Sequence, residues 1–308
     1  MFRVSVIGLG AMGASYAAKL HLAEGVDVRV IADGARAERL RRDGVTVNGQ
    51  RHDFTIVSPD QEVEPADLMI VAVKYPDFAE ALGLISRQIT DGTIILSLLN
   101  GINSEQELAT AYPRAHTLLS ITVGVDSVRS GQQIVYSSLG RMDFGEPRNT
   151  HPFSDPVRRV AEVFDAAGLA WDVPPDMVKR LWWKFLVNTG VNQVTAVLGA
   201  PYAVVQAPDS PARQLMIAAQ REVVAVAQAR GIGLGEDDID SWLDVLSKLG
   251  PAQYTSMAQD ALAHRPTEAE IFSGAMMAMG AEHGIPVPVN TCLNQLLASL
   301  PLVHELAG

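Results

Sequence analysis

The first group of residues suited to chemistry is a polar stripe within the segment RLWWKFLVNTGVNQVTAVLG, residues 180–199. Lys184, Asn188 and Asn192 follow at intervals of four, which places them on one face of a helix. The remaining positions are mostly apolar, so we expect the helix to be buried nearly all round. An unpaired buried amide or ammonium costs about 1–3 kcal/mol, so the stripe needs partners. It therefore indicates a cleft between domains that supplies water and ligand.

A lysine in such a cleft suits the reduction of a ketone. Hydride addition to the carbonyl carbon leaves charge on the oxygen, and that oxygen needs a proton donor. Burial lowers the pKa of a lysine toward neutrality, which fits a general acid. The ammonium also attracts an anionic substrate. The residue type and setting therefore predict Lys184 as the general acid.

A second polar cluster lies in QYTSMAQDALAHRPTEAE. Ser256 and Asp260 are four residues apart on one predicted helix. A proline ends that helix, and Thr267 with Glu270 is predicted to form a capping box at the start of the next one. Glu268 would then lie in the first turn, where interaction with the helix dipole alone could explain it.

Three glycines near the N-terminus could hold a nucleotide. Gly8, Gly10 and Gly13 form a GxGxxG pattern that follows a predicted strand and opens a predicted helix. This is the context that the dinucleotide fingerprint requires, with the pyrophosphate at the helix N-terminus. Asp33 lies about 20 residues farther on, directly after the second predicted strand, where the fingerprint expects an acidic residue. We therefore predict a dinucleotide site.

The residues around Asp33 bear on the type of dinucleotide. A carboxylate there accepts a hydrogen bond from the ribose 2′-hydroxyl and repels a 2′-phosphate, which favours NADH. Arg36 and Arg39 are close enough in sequence to bind a phosphate instead. The sequence therefore leaves both cofactors open.

Two more polar residues stand at predicted strand ends, where open α/β sheets bind ligands. Lys74 ends LMIVAVK and Asn100 ends TIILSLLN. Lys74 could be a solvated charge at the start of a loop, and Asn100 could belong to an Asn-Gly turn before a helix. Alternatively, either residue could reach a nicotinamide or substrate. Ser104 and Glu107 are predicted to cap the next helix, so Asn100 is not needed as its cap.

These residues need two kinds of domain to position them. Strands and helices alternate through the first half, which predicts an α/β fold with a Rossmann-type, doubly wound parallel sheet. Residues 117–145 are interpreted as a strand and a hairpin appended to that sheet, followed by a helix near 154–167 and a strand at 169–173. Beyond the prolines of DVPPDM the pattern is helical. We predict domains 1–173 and 174–308, the second all-helical.

Composition excludes several classes of protein. The net charge is −11 and no basic stretch offsets it, so neither nucleic acid nor an anionic membrane is expected as a partner. One cysteine permits no intrachain disulfide, which fits a cytoplasmic location. The first strand begins by residue 3, which leaves no room for a signal peptide. Scattered histidines predict no metal site.

In these motifs the sequence resembles a known family, the ketopantoate (2-dehydropantoate 2-) reductases. The resemblance covers nearly the whole chain and rests on VIGLGAMG, VAVK, LLNG, LWWKFLVNTGVNQVTA, TSMAQD with RPTEAE, and HGIPVPVN. It implies a Rossmann domain, a helical domain and a substrate cleft between them. It also implies reduction of 2-dehydropantoate to (R)-pantoate, usually with NADPH, on the route to pantothenate and coenzyme A.

The resemblance also assigns roles to residues. Lys184 is implied as the general acid, Glu268 as its acidic partner, and Asp260 as a supporting group. The implied substrate-binding residues are Asn100, Asn188, Asn192, Ser256 and Asp260. The implied cofactor-binding residues are Gly8, Gly10, Ala11, Met12, Gly13, Lys74 and Asn100. Asp33 is a predicted cofactor-binding residue on the dinucleotide fingerprint alone.

The chain also departs from the family pattern. Asp33 replaces an arginine found in many members, which leaves NADH a serious alternative to NADPH. Tyr202 stands where some members have a small or polar residue, and TEAE replaces a more usual Thr-Glu-apolar-Asp. A reductase of another 2-oxo acid, a β-hydroxyacid dehydrogenase and a non-catalytic nucleotide sensor remain alternatives. A homodimer is the expected assembly.

Overall fold

A computed structural model describes residues 1–307 of the chain. It divides into two compact units, one from Met1 to Val178 and the other from Lys179 onward. The division falls within one long helix. The functional boundary after residue 173 stays a prediction.

The elements of the first unit alternate between strands and helices. The strands are β1 (Phe2–Ile7), β2 (Val26–Ile31), β3 (Val45–Val47), β4 (Gln50–His52), β5 (Thr55–Val57), β6 (Leu68–Val71), β7 (Ile94–Ser97), β8 (His116–Thr117), β9 (Leu119–Ser130), β10 (Gln133–Gly145) and β11 (Trp171–Asp172). The helices between them are α1 (Ala11–His21), α2 (Gly34–Asp43), α3 (Phe78–Ile85), α4 (Ser104–Ala111) and α5 (Asp155–Ala166).

Six of the strands form one parallel sheet, in the order β5-β2-β1-β6-β7-β8. Numbered among themselves, they run 3-2-1-4-5-6, the order of dinucleotide-binding sheets. The predicted Rossmann-type parallel sheet is therefore confirmed. The predicted helix near 154–167 and the short strand near 169–173 are confirmed as α5 and β11.

Apolar residues on both faces of the central strands build this sheet. On β6, Leu68 and Ile70 pack into one apolar cluster, while Met69 and Val71 pack into another on the opposite face. Successive side chains of a strand point to opposite faces, so an uninterrupted apolar run buries both of them. The LMIV sequence therefore predicts the middle of a covered sheet.

A second, five-stranded sheet was not predicted. β9 and β10 form an antiparallel hairpin, and β10 also pairs in parallel with β3 and β11, while β3 pairs with β4. The prediction that residues 117–145 extend the parallel sheet is wrong for the hairpin; only the short β8 does so. The reason is long-range pairing, because Gln133 and Ile134 take Thr46 and Val47 as their neighbours.

Asp67 joins three elements of this unit. Its carboxylate accepts bonds from the backbone N and the Nε of Arg3 on β1, both at 3.0 Å, and from Nη2 of Arg159 on α5 at 3.1 Å. Burial raises the pKa of Asp67, but the bonds from Arg3 outweigh it and the net pKa lies below its usual value. The ionised carboxylate therefore stabilises the folded state.

Asp67→Asn is expected to lower the free energy of unfolding by about 1–3 kcal/mol at neutral pH, because it removes a charged acceptor from these bonds. A carboxyl with a depressed native pKa stabilises above its unfolded pKa of about 4, and this contribution is lost as the pH falls through the native value. Urea unfolding at neutral and acid pH checks both points. Asp43→Asn, which breaks an exposed pair with Arg42, is the control and should change little. Equal stability of Asp67→Asn and wild type at neutral pH would contradict this.

The second unit is built from helices: α6 (Met177–Leu198), which starts two residues before it, α7 (Ala203–Gln206), α8 (Pro211–Ala229), α9 (Glu236–Leu246), α10 (Ser256–Leu262), α11 (Ala275–His283) and α12 (Pro288–Ala307). A π-helical turn, Glu270–Gly274, leads into α11. The described part of this unit contains no strand, which confirms the all-helical prediction. Within residues 1–307, no helix has the length and apolar character needed to cross a membrane.

Candidate active site

The glycine loop between β1 and α1 is packed too closely for side chains at two of its three glycines. Gly8 has a φ of +91°, and a Cβ on it would lie 2.6 Å from the carbonyl carbon of Ala72. A Cβ on Gly13 would lie 2.0 Å from the carbonyl oxygen of Gly8. The loop therefore sits directly against the end of β6, and glycine is required at both positions.

Gly10 differs from the other two glycines. A Cβ there would meet only the carbonyl oxygen of Ala72, at 4.0 Å, so the fold itself leaves room beside it. Gly10 is the N-cap residue of α1, and as a glycine it has no side chain to cap the helix. Ala11 and Met12 are the first two residues of the helix. Backbone N–H groups at an uncapped helix start bind anions such as phosphate. The loop therefore fits a pyrophosphate beside Gly10.

Asp33 lies at the same edge of the sheet. β2 ends at Ile31, which pairs with Ile7 at the end of β1, and Asp33 follows two residues later. Asp33 is exposed and its backbone is extended, and its side chain makes no cap bond to α2. This is the position from which an acidic residue reaches a ribose hydroxyl.

Lys74 and Asn100 follow the two neighbouring strands. β6 and β7 are parallel, with Val71 opposite Ser97, so both residues lie at the carboxyl edge that carries the glycine loop. Lys74 precedes a 3₁₀ turn, Tyr75–Asp77. Ligands of open α/β sheets bind at this edge. The structure thus brings the predicted cofactor residues of this unit together at the carboxyl edge of the sheet.

A serine network fixes the loop that carries Asn100. Ser97 Oγ lies 2.8 Å from Ser104 Oγ and accepts a bond from the N–H of Leu99, and Ser120 Oγ donates to the Ser97 carbonyl at 2.6 Å. All three serines are buried. The predicted capping box of Ser104 with Glu107 is wrong, because the Ser104 hydroxyl is used in this network and α4 has no side-chain cap bond.

In the second unit, α6 carries the polar stripe. Asn192 is 6% exposed, Lys184 and Asn188 are half-buried, and no residue from Leu181 to Val197 is exposed. The predicted burial of this helix is confirmed. Lys184, Asn188 and Asn192 therefore share one face of a helix whose surroundings are largely apolar.

A hydrogen bond ties this helix to the loop before Ser256. Thr195 Oγ1 donates to the Val191 carbonyl at 2.7 Å and lies 2.8 Å from Thr255 Oγ1. Thr255 Oγ1 also accepts the N–H of Ala258 at 3.1 Å and so caps α10, whose first residue is Ser256. Both threonines are buried. The bond therefore sets the position of Ser256 relative to the stripe helix.

The family resemblance implies that Ser256 binds the substrate carboxylate. On that assignment, Thr255→Ala is expected to raise KM for a 2-oxo acid several-fold, because it removes the bond that positions Ser256. It should also cost about 0.5–2 kcal/mol of stability through the lost cap. Ser210→Ala is the matched control, since Ser210 caps α8 through the N–H of Arg213 and likewise makes a second bond. Steady-state kinetics and thermal unfolding of both variants check this. An equal KM in the two variants would show that Thr255 acts only as a cap.

Asp260 is bonded to Arg265 across the turn that follows α10. Its carboxylate accepts from Arg265 Nε at 2.7 Å, and the Arg265 N–H bonds to the Asp260 carbonyl at 2.8 Å. His264 between them has a φ of +54°. Asp260 therefore braces the turn from which the chain runs to Glu268.

Glu268 lies just outside the next helix rather than in its first turn. Ala269 is the N-cap residue of the turn Glu270–Gly274, which has no side-chain cap bond, so Thr267 and Glu268 both precede the helix. The predicted capping box of Thr267 with Glu270 is wrong. Its spacing assumes an α-helical first turn, whereas the chain forms a wider π turn there. Such turns are frequent at functional sites.

Comparison with known proteins covers both units. Residues 4–149 match the family described as ketopantoate reductase PanE/ApbA, and residues 176–300 match its C-terminal domain. The chain belongs to the ketopantoate reductase family. The predicted resemblance is thereby confirmed.

Relatives of known sequence and structure extend this match. A 2-dehydropantoate 2-reductase of Halobacterium salinarum is 30% identical over 305 residues, which cover 96% of this chain and 97% of the relative. The solved 2-dehydropantoate 2-reductase of Geobacter metallireducens is 28% identical with a TM-score of 0.82, covering 97% of this chain and 99% of that one. D-mandelate dehydrogenase, solved with NADH and anilino(oxo)acetate, shares the fold at 22% identity and a TM-score of 0.85, covering 97% of this chain and 98% of that one.

Two residues of this ketopantoate reductase family member were missed by sequence reasoning. Thr255 precedes a helix and is a preferred N-cap type, so its cap could have been found. Arg129 on β9 donates to the carbonyl of Leu9 in the glycine loop at 2.7 Å. That contact joins residues far apart in sequence, and no local pattern signals it.

Tyr202 lies close to the Ser256 segment. Its N–H bonds to the carbonyl of Gln253 at 2.9 Å. Burial raises the pKa of its phenol, so the side chain stays neutral across the physiological range. Tyr202 therefore adds a neutral aromatic group to this part of the unit.

Proposed function

We propose that this chain reduces 2-dehydropantoate to (R)-pantoate with a nicotinamide cofactor, on the route to pantothenate and coenzyme A. It is an oxidoreductase of the ketopantoate reductase family. The observation that carries the proposal is the stripe of Lys184, Asn188 and Asn192 on a helix with no exposed residue from Leu181 to Val197. Polar groups in such a setting are expected to serve a ligand.

Lys184 is proposed as the general acid. Reduction of the keto group forms a C–H bond at the carbonyl carbon and moves the C=O electron pair onto oxygen. The Lys184 ammonium gives its Nζ proton to that oxygen, which becomes the hydroxyl of the product. Solvent then reprotonates the amine. The positive charge also attracts the carboxylate of a 2-oxo acid.

The other residues of this unit are proposed to bind and orient the substrate. The Asn188 and Asn192 amides offer donors and acceptors beside Lys184, and the Ser256 hydroxyl is directed to the substrate carboxylate. Glu268 is the proposed acidic partner that organises lysine and substrate. Asp260 supports it through the pair with Arg265.

The glycine loop is proposed to hold the cofactor. Gly8, Gly10 and Gly13 with the N–H groups of Ala11 and Met12 fit a pyrophosphate, as the open space beside Gly10 indicates. The other proposed contacts are Asp33 toward the adenine ribose, and Lys74 and Asn100 toward the nicotinamide or substrate. When bound, the reduced nicotinamide supplies the hydride.

Asp33→Arg is expected to shift the ratio of kcat/KM with NADPH to kcat/KM with NADH toward NADPH by roughly tenfold or more. The change removes a charge that repels a 2′-phosphate and adds one that attracts it. Asp91→Arg is the control, because Asp91 is exposed and precedes β7 at the opposite edge of the sheet. Initial rates with both cofactors measure the ratio. An unchanged ratio would remove Asp33 from cofactor selection.

An initial-rate panel of 2-oxo acids with NADPH and NADH tests the proposed function. We expect the highest kcat/KM with 2-dehydropantoate. A higher value for another 2-oxo acid, or for oxidation of 3-hydroxyisobutyrate, would replace the proposed substrate. Nucleotide binding without turnover of any of them would indicate a sensor. Mass photometry of the same preparation tests the proposed homodimer, and cell fractionation the proposed cytoplasmic location.

A further inference from the structure

A cavity of about 170 Å³ lies beside the end of α1 that is remote from the glycine loop. Its walls include residues from the end of α1, from the β3–β4 hairpin and from β10, namely Lys19, Leu22, Val47, His52 and Tyr136. Because a helix rises 1.5 Å per residue, the lining residues of α1 lie about 12–18 Å along the helix from Gly10. The cavity is therefore separate from the proposed nucleotide site.

Contacts between the hairpin and β10 hold the walls of the cavity in place. Asn48 Nδ2 donates to the Tyr136 carbonyl at 3.1 Å, and Asn48 Oδ1 accepts the Tyr136 N–H at 2.8 Å. The ring of His52 stacks on the buried ring of Phe54, with 5.8 Å between the centroids and 10° between the planes. Side chains that are already fixed lose little freedom when a ligand binds.

His52 is a buried polar group that lacks a hydrogen bond. The residue is 4% exposed, and neither of its ring nitrogens has a hydrogen-bond partner within residues 1–307. Burial lowers the pKa of His52 and the nearby His21 ring lowers it further, so the imidazole is neutral at physiological pH. A neutral imidazole still carries one N–H donor, and leaving a buried donor unpaired is unfavourable. A ligand in the cavity would supply the missing acceptor.

Lys19 gives the cavity a positive charge. It is half-buried and forms no ion pair with any residue in the described part of the chain. Leu22 and Val47 add apolar surface, and Leu22 is 61% exposed, so the cavity opens to solvent beside it. One cation, one neutral donor and apolar walls suit a monoanion that carries carbon, whereas phosphate is typically matched by arginine forks.

We propose that this cavity binds a small organic monocarboxylate. The carboxylate accepts hydrogen bonds from the Lys19 ammonium and the His52 N–H, and the carbon chain packs against Leu22 and Val47. The volume is that of about six molecules of liquid water, which admits an acid of about six non-hydrogen atoms. The inference goes beyond the proposed function, because none of these residues belongs to the proposed nucleotide or substrate sites.

Histidine NMR of the whole protein tests this site directly. The His52 signal is identified as the one missing from His52→Phe, which keeps an aromatic ring against Phe54. The probes, at constant ionic strength, are isobutyrate, which matches the size of the cavity, isobutyramide, which has the same shape without the charge, and acetate, which lacks two of the carbons. Isobutyrate bound at the substrate site does not register, because the measured signal belongs to His52.

We expect isobutyrate to shift the His52 signal saturably. It should bind roughly tenfold more tightly than acetate, because two further buried carbons contribute about that factor. It should also bind roughly tenfold more tightly than isobutyramide, which lacks the charge. A His52 signal that stays in place throughout the isobutyrate titration would overturn the proposal. Equal affinity for isobutyrate and either of the other probes would also overturn it.

Two surface variants assign the effect to the cavity. Lys19→Met keeps an unbranched apolar side chain and removes the charge, so it should weaken isobutyrate roughly tenfold and leave isobutyramide unchanged. Leu22→Ala should weaken isobutyrate but not acetate. Lys248→Met, which changes an exposed lysine of the second unit, is the control and should change none of the affinities. Equal losses in the Lys19 and Lys248 variants would show a general charge effect and overturn the proposal.

These outcomes are independent of the proposed function. Reduction of 2-dehydropantoate without a response of His52 to isobutyrate would overturn the carboxylate site and leave the reductase proposal standing. A selective response of His52 without reduction of any 2-oxo acid would do the reverse.

Discussion

Replacing Lys184 by alanine is expected to lower kcat for 2-dehydropantoate reduction by roughly 10²- to 10⁴-fold, the contribution of a positioned general acid. The proton that must reach the substrate oxygen then has to come from water. NADPH binding, measured by quenching of protein fluorescence, should be unchanged. A loss of this size with intact cofactor binding would place the defect in the chemical step.

Two further variants sharpen this prediction. Lys184→Arg keeps a positive charge but not a group that releases a proton near neutral pH, so it should remain slow while recovering part of the substrate affinity. Lys179→Ala changes a lysine of the same helix that pairs with Asp238 at 3.2 Å, and it should keep near-normal kcat. Equal losses in the Lys179 and Lys184 variants would indicate damage to the helix instead of loss of an acid.

Gly13→Ala is expected to abolish measurable NADPH binding, a loss of roughly 100-fold or more. The added Cβ would lie 2.0 Å from the Gly8 carbonyl oxygen and 2.8 Å from the Ala72 Cβ, so loop, helix or strand must move. Overpacking of this kind also costs about 1–3 kcal/mol of stability. Equilibrium binding and thermal unfolding measure the two effects.

Gly10→Ala and Gly83→Ala separate the causes. Gly10 has room for a Cβ within the fold, so its variant should stay folded and lose nucleotide binding, because the Cβ enters the space left for the ligand. Gly83 lies in α3 with nothing within 4 Å, so its variant should bind normally and be no less stable. Tight NADPH binding by Gly10→Ala would show that the cofactor does not approach this loop.

The nucleotide-binding loop, the parallel strands and the buried helix α6 could be predicted from short sequence patterns. The glycine loop, Asp33 and the parallel strands follow from a short motif and from runs such as LMIV, whose residues fill both faces of the sheet. The buried helix α6 follows from apolar residues on nearly every side. Each of these signals lies within about 30 residues of sequence.

Long-range contacts account for what the sequence missed. The second sheet needs Thr46 and Val47 beside Gln133 and Ile134, and no local signal announces that pairing. Ser104 has the residue type and spacing of a helix cap, but its hydroxyl is hydrogen-bonded to the Ser97 hydroxyl instead. A sequence pattern cannot reveal that bond. The bond between Thr255 and Thr195 and the bond from Arg129 to the Leu9 carbonyl likewise join residues far apart along the chain, although the cap that Thr255 makes is local.

Single-turnover reduction tests the central claim most directly. Enzyme with NADPH bound is mixed with 2-dehydropantoate, and loss of the reduced cofactor is followed in wild type, Lys184→Ala and Lys179→Ala. The account predicts a chemical step at least 100-fold slower in Lys184→Ala and unchanged in Lys179→Ala. A Lys184→Ala enzyme that turns over bound substrate at the wild-type rate would contradict it.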